Sequence, residues 1–323
     1  MAVDRDRQKL VMTNLKPLRI ASLAVLALAA VGARAELIWG ITTTSQLVSF
    51  DSANANAYTL GPNLSGVVSG HTVRAIDFRA SNGQLYAISS NASTAGQLYT
   101  VNLTTGALTA VGSTFGLTTT STRISMDFNP VVDAIRVVAA TGNNLRVNAD
   151  TGVLINTDTN IAYVAGDPNA TTTAQVGDIA YTNNVAGAST TTLFAYDFSI
   201  DNLATIGTAN GAVSPNTGQL NTVGSAGGPV AFDLGIGFDI SGSTGVGYLS
   251  MDEDVSPTSA DELYSVNLST GALTLLANEI GVGGQGGLNL LDISVVAAPV
   301  PEPATMVGLG LGAIVLLRKR RKA

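Results

Sequence analysis

Five aspartates, each set between apolar neighbours, are the side chains of this sequence best placed to do chemistry. They are Asp77 in Ile76-Asp77-Phe78, Asp127 in Met126-Asp127-Phe128, Asp178 in Gly177-Asp178-Ile179, Asp239 in Phe238-Asp239-Ile240 and Asp292 in Leu291-Asp292-Ile293. Converging carboxylates raise one another's pKa unless a cation or arginines sit among them. As hard oxygen donors they would suit calcium or magnesium, calcium being the cofactor to expect if there is one. Two of them at about 5 to 10 Å could serve as acid and base on a glycosidic bond. The other reading is structural: each Asp accepts backbone hydrogen bonds that lock one repeat to the next, and recurs for that reason. Other chemistry is thinly supplied. The chain has no cysteine and one histidine, His71, in a glycine- and valine-rich stretch that reads as an exposed loop. Ser-His catalysis and His/Cys sites for zinc, copper or haem are therefore unsupported. Gly281 to Gly287 is glycine-rich but opens no helix, and reads as a connector.

The elements that carry these aspartates repeat. Successive aspartates are 50, 51, 61 and 53 residues apart, close to the period of propeller blades. Each of the first four is followed by another strand-like run: Leu85–Ile88, Ile135–Val138, Leu193–Tyr196 and Val246–Leu249. A hairpin then closes the unit. Gln97–Gly112 recurs as Glu262–Ala277 with ten of 16 positions identical, and Gln46–Gly61 and Asn144–Leu154 are weaker copies. Tyr99, Val101 and Leu103 alternate with Leu98, Thr100 and Asn102, the period of a strand. Thr105-Gly106, Thr151-Gly152 and Thr270-Gly271 supply a glycine where a hairpin loop needs positive φ. The fourth unit is irregular, with an insert from Gly207 to Pro215.

The ends are complementary. No further strand follows Leu291-Asp292-Ile293, whereas Leu37–Ile41 matches the second strand of a unit that lacks its first. A closed ring joins them and leaves only short, protected edges. The expected fold is all-β: a five-bladed β-propeller closed by a C-terminal strand that completes the N-terminal blade. A β-sandwich array or an open solenoid would not explain the matched truncations.

Both termini read as processing segments. A basic stretch from Arg5 to Arg19, an apolar run from Ile20 to Gly32 and the small-x-small site Ala33-Arg34-Ala35 make residues 1–35 a signal peptide cleaved after Ala35. Met12 is an alternative start. Residues 36–297 form the propeller-like domain. Residues 298–323 hold Pro301-Glu302-Pro303, an apolar run from Ala304 to Leu317 and the basic cluster Arg318 to Lys322. This tripartite end resembles the PEP-CTERM sorting signal. The resemblance implies export, transient inner-membrane anchoring, recognition by an exosortase, and delivery to the cell surface or extracellular matrix of a Gram-negative bacterium. An ordinary stop-transfer helix is the alternative. At about 1.5 Å per residue, however, the run rises only about 21 Å against a hydrocarbon core of about 30 Å.

Charge sets further bounds. Of 16 Lys and Arg, six lie at or before Arg34 and five after Leu317, so five remain between; of 23 acidic residues, only Asp4, Asp6 and Glu302 lie outside, so 20 remain. A surface this acidic and without lysine repels nucleic acid. All five remaining arginines fall in the second and third units. Arg74 and Arg123 precede Asp77 and Asp127 and could pair with the aspartate set. Arg136 and Arg146 lie on adjacent predicted strands with Asp133 nearby, which reads either as cross-strand ion pairs or as a small anion site for a uronic acid. Asp252, Glu253 and Asp254 with Asp261 and Glu262 form an acidic patch whose spacing does not fit an EF-hand loop. Trp39, the only tryptophan, falls on a predicted strand and reads as core.

Three segments resemble an exported domain-of-unknown-function family, number 4394: Ile76 to Tyr86, Asp127 to Val138, and Asn144 to Asn148. The likeness covers about residues 36–296. It implies a propeller-like domain often found with this sorting tag, and it supplies no activity or catalytic residues. The expected function is a non-catalytic binding or structural propeller at the cell surface or in the matrix, with extracellular polysaccharide as a candidate partner. A carboxylate-based glycoside-active enzyme using the channel is the alternative, although aromatics make up only 5% of the chain.

Overall fold

The computed structural model describes residues 35–227, 235–252, 260–281 and 286–296. The signal-peptide expectation apart from Ala35, the sorting tag, Glu253, Asp254 and most of the 281–287 connector lie outside these residues. Among the described residues, 21 strands build five sheets. Blade I holds β1 (Leu37–Thr42), β2 (Gln46–Asp51) and β3 (Asn54–Asn63). Blade II holds β4 (Thr72–Phe78), β5 (Leu85–Ser90), β6 (Ala95–Val101) and β7 (Leu108–Gly116). Blade III holds β8 (Ile124–Asn129), β9 (Ala134–Ala139), β10 (Asn144–Asn148) and β11 (Leu154–Thr157). The short β12 (Ala162–Tyr163) pairs parallel with the outer strand of blade IV, which holds β13 (Val176–Tyr181), β14 (Leu193–Asp197), β15 (Asn202–Ile206) and β16 (Gln219–Ser225). Blade V holds β17 (Gly237–Ile240), β18 (Gly247–Met251), β19 (Glu262–Val266) and β20 (Leu273–Ala277).

The last strand, β21 (Leu290–Val295), completes blade I, in the order β21-β1-β2-β3. It pairs antiparallel with β1, from Ile38 opposite Val295 to Ile41 opposite Asp292. The five sheets form a ring, and the molecule is the five-bladed β-propeller that the complementary ends imply.

Burial follows position within a blade. The inner strands β4, β8, β13, β17 and β21 are almost wholly buried, while β3, β7, β11 and β20 carry most of the exposed positions. This changes the meaning of the alternation in the hairpin. Leu98 and Tyr99 point to opposite faces, yet both are 1% exposed, because each blade is covered on both sides by its neighbours. Leu98 packs in the core between blades II and III, and Tyr99 in the core between blades I and II.

The repeated Thr-Gly turns also act between blades. Gly152 and Gly271 have φ of 65° and 82°, and a Cβ on either would fall 2.0 Å from Val111 O and 2.3 Å from Gly224 O, atoms of the preceding blade. The glycine expected for a hairpin turn therefore also lets adjacent outer edges touch. Ring closure imposes a similar limit: a Cβ on Gly237 of β17 would sit 2.4 Å from Ile293 N of β21.

Candidate functional site

All five aspartates lie on inner strands, one per blade, and each is 2–3% exposed. Each accepts a backbone N–H from the next blade. Ile76 N donates to Asp292 Oδ2 at 2.7 Å, Phe128 N to Asp77 Oδ2 at 2.9 Å, and Tyr181 N to Asp127 Oδ1 at 3.2 Å. Phe238 N donates to Asp178 Oδ2 at 2.6 Å and Val295 N to Asp239 Oδ2 at 2.6 Å. The set runs I to II, II to III, III to IV, IV to V and V back to I. Asp178, Asp239 and Asp292 use their second oxygen on the amide of the following residue, at 2.8, 2.6 and 2.7 Å. The Ser294 hydroxyl lies 2.9 Å from Asp77 Oδ1 and 3.2 Å from Asp239 Oδ2.

Burial is the leading cause that pushes all five carboxyls upward. Asp178 rises to about 7 and Asp239 to about 6. Asp77 and Asp127 are raised further by neighbouring ring carboxylates, and Asp292 by the negative charge of Asp178. The Asp178 and Asp292 carboxyls also hydrogen-bond each other, which lowers the first and raises the second. Carboxylate oxygens of Asp77, Asp127 and Asp239 all lie within 4.8 Å of one another, a spacing that could hold a hard cation.

The arginines divide. Arg136 and Arg146 face each other directly across β9 and β10, a like-charge pair that would destabilise the sheet by itself. Asp158 resolves it, meeting Arg136 Nη1 at 2.7 Å and Arg146 Nε at 2.8 Å through one oxygen. Burial pushes the Asp158 carboxyl up, but hydrogen bonds from Arg146, Asn156 and Arg136 outweigh it and hold the group below its usual range. Asp133, the partner expected from sequence, is elsewhere. It sits in a turn at φ 51° and binds Arg79 through Nε at 2.9 Å and Nη2 at 2.6 Å. Arg136, Arg146 and Asp133 thus belong to two separate ion-pair clusters.

Arg74 and Arg123 line a small cavity with Asp178 and Asp292, and the Arg123 guanidinium lies 4.5 Å from the Phe198 ring centre. His71 is half-buried, with Nδ1 3.1 Å from Ser89 Oγ, and so differs from the exposed loop residue expected. Trp39 is partly buried against the core between blades I and II. Of the acidic patch, Asp252 and Asp261 are buried, and Asp261 Oδ2 accepts from Leu290 N at 2.9 Å. Sequence reasoning missed Glu36 altogether. Its carboxylate is enclosed by blade V hydroxyls, accepting from Ser241, from Ser243 at 2.6 Å, from Thr244 at 2.9 Å and from Tyr248 at 3.0 Å. Burial raises the Glu36 carboxyl, and these hydrogen bonds more than reverse that. A scatter of Ser and Thr some 200 residues away gave no signal that could have found it.

The fold and tail together define an exported β-propeller with an exosortase sorting signal: the PEP-CTERM protein-sorting motif matches residues 299–322. Such a motif marks an exosortase substrate directed toward the envelope of Gram-negative bacteria. The model for the domain of unknown function DUF4394 matches residues 46–287, and the chain belongs to that family. No curated protein matches it. Among solved structures it is similar to a protein of unknown function from Bacteroides thetaiotaomicron, at 14% identity over 83% of this chain and 68% of the other, with TM-score 0.44. A chain of a nidogen/laminin complex gives 9% identity over 82% and 100%, TM-score 0.44. The Dos1 propeller gives 15% over 74% and 57%, TM-score 0.38.

The ring makes stability depend on pH. A carboxyl whose folded pKa is raised stabilises the fold most below its unfolded pKa, near 4, and loses that contribution as pH rises through the folded value. Glu36, Asp133, Asp158 and Asp167 are held low, so their contributions change only in acid. The melting temperature is therefore expected to fall by on the order of 10 °C between pH 5 and pH 8. Calorimetry showing a flat or rising profile over that range would contradict the raised ring.

Proposed function

We propose that the chain is an exported protein whose tag is clipped by an exosortase after transient inner-membrane anchoring. It leaves a non-catalytic propeller at the cell surface or in the extracellular matrix, where it binds polysaccharide. Among the described residues no helix is long and apolar enough to cross a membrane; both apolar terminal runs lie outside them.

One observation carries the non-catalytic reading. Every channel aspartate is committed to a backbone N–H of the next blade. A glycoside-cleaving pair needs two carboxyl groups facing a sugar at about 5 to 10 Å, with one free to lose a proton and the other to donate it. Turning any of these carboxyls toward a substrate would strand a buried amide, at a cost of about 1 to 3 kcal/mol. The experiment is incubation of the purified chain on an array of bacterial polysaccharides, with released oligosaccharide measured alongside retention. Retention without depolymerisation is expected. Sugar release that disappears in Asp77→Asn or Asp127→Asn, with melting unchanged, would establish the enzyme instead.

The close approach of Asp77, Asp127 and Asp239 favours a second reading, in which a calcium ion replaces protons in the ring. Calcium would then raise the melting temperature at pH 8, reversibly with chelator, and have little effect at pH 5, where protons already neutralise the ring. An unchanged melt at pH 8 would remove this reading.

A further inference from the structure

The blade IV insert departs from the repeat. The connection between β15 and β16 runs from Gly207 to Gly218, where the equivalent connection in blade II runs only from Asn102 to Ala107. In repeat folds, insertions within a unit map to loops on one face, often the binding face. This one is built to hold its shape. Thr208 N donates to Val213 O at 3.1 Å, Val213 N to Thr208 Oγ1 at 2.8 Å, and Gly211 N to Thr208 O at 3.0 Å. Asn210 adopts left-handed backbone, φ 55° and ψ 21°, and its N–H is tied to Thr192 Oγ1 at 2.9 Å.

The insert walls a cavity of about 220 Å³ between blades III and IV. Val131 and Val132, 42% and 65% exposed, face it from the β8–β9 turn, and Thr190 and Thr191 from the segment leading into β14. No described lining residue is charged, although 20 acidic residues and only five arginines lie between Arg34 and Pro301. Hydrogen-bonding capacity remains after internal bonds are made. Asn129 uses its Oδ1 on Val131 N and Val132 N, leaving its amide hydrogens to donate. Thr208 and Ser214 accept from Val213 N and Asn216 N, so their hydroxyl protons remain available. Tyr181, 1% exposed, also lines the cavity, and its buried hydroxyl has no hydrogen-bond partner among the described residues.

From these features we infer that this cavity is a binding site for a neutral polyhydroxylated molecule the size of one sugar ring. Uncommitted amide and hydroxyl groups suit ligand hydroxyls, and the valine pair suits an apolar C–H face. A charged ligand would be desolvated there with no compensating charge. At about 30 Å³ of liquid volume per water, the space of about 220 Å³ matches about seven waters, or one ring rather than a chain. The inference deepens the polysaccharide-binding reading and rests on it.

The test uses the purified full chain and three neutral probes, the methyl α-glycosides of glucose, galactose and mannose, with glucuronate as the charged counterpart, followed by saturation-transfer NMR and titration. At least one neutral glycoside is expected to bind, with glucuronate weaker by about tenfold or more. Val132→Trp, which crowds the rim, and Asn210→Gly, which keeps the left-handed backbone but removes a side chain that lines the cavity, are expected to weaken binding about tenfold with melting unchanged. Val153→Trp, at another exposed valine, is expected to leave affinity unchanged. Failure of all three neutral probes, or unchanged affinity in both cavity variants, would overturn the site. If polysaccharide is still retained on the array, only the site falls; if retention is also lost, the binding reading falls with it.

Discussion

A buried carboxylate that accepts a backbone N–H from the next blade, repeated five times around a circle, is the interaction on which this structure depends. An aspartate in the middle of a ring pays the full cost of leaving water unless its oxygens are bonded. Here the inner strand of the neighbouring blade supplies the bond. Aspartate suits the task because a short side chain reaches an adjacent backbone while its two oxygens accept separately, as Asp178 does from Phe238 and Ile179. Each blade thereby holds the next, and the fifth bond, Val295 to Asp239, exists only because β21 returns to blade I.

Other features serve the same closure. The Ser294 hydroxyl on β21 reaches Asp77 of blade II and Asp239 of blade V, so one residue of the closing strand touches both neighbouring aspartates. Glu36, just before β1, is held by blade V hydroxyls and adds a second tie across the same seam. Gly237 leaves room for β21 to approach β17. The ring also accounts for the raised carboxyls, since burial and neighbouring negative charge both disfavour ionisation.

The repeat was legible because its signals are local. Period-two strands, Thr-Gly turns and the spacing of the aspartates each occupy a few residues, and the mismatched ends required the ring to close. Even the structural role of the aspartates could be stated, since a group that recurs in every unit is more simply explained by the joint between units than by one site. Partnerships across long sequence separations were not legible. Asp133 lies three residues from Arg136 but turns toward Arg79, while Asp158, which lies beyond the hairpin, bridges both facing arginines. The insert was visible as an irregularity, yet nothing in Gly207 to Pro215 alone shows that Asn129 and Tyr181 complete a cavity around it.

The central claim is that five inter-blade amides share one cooperative closure. Native-state hydrogen exchange read at Ile76, Phe128, Tyr181, Phe238 and Val295 tests it most directly. If the ring acts as a unit, all five amides exchange only through global unfolding, with a common opening free energy equal to that of the whole domain. Exchange of any one of them through a local opening of much lower free energy, while the other four stay protected, would contradict it.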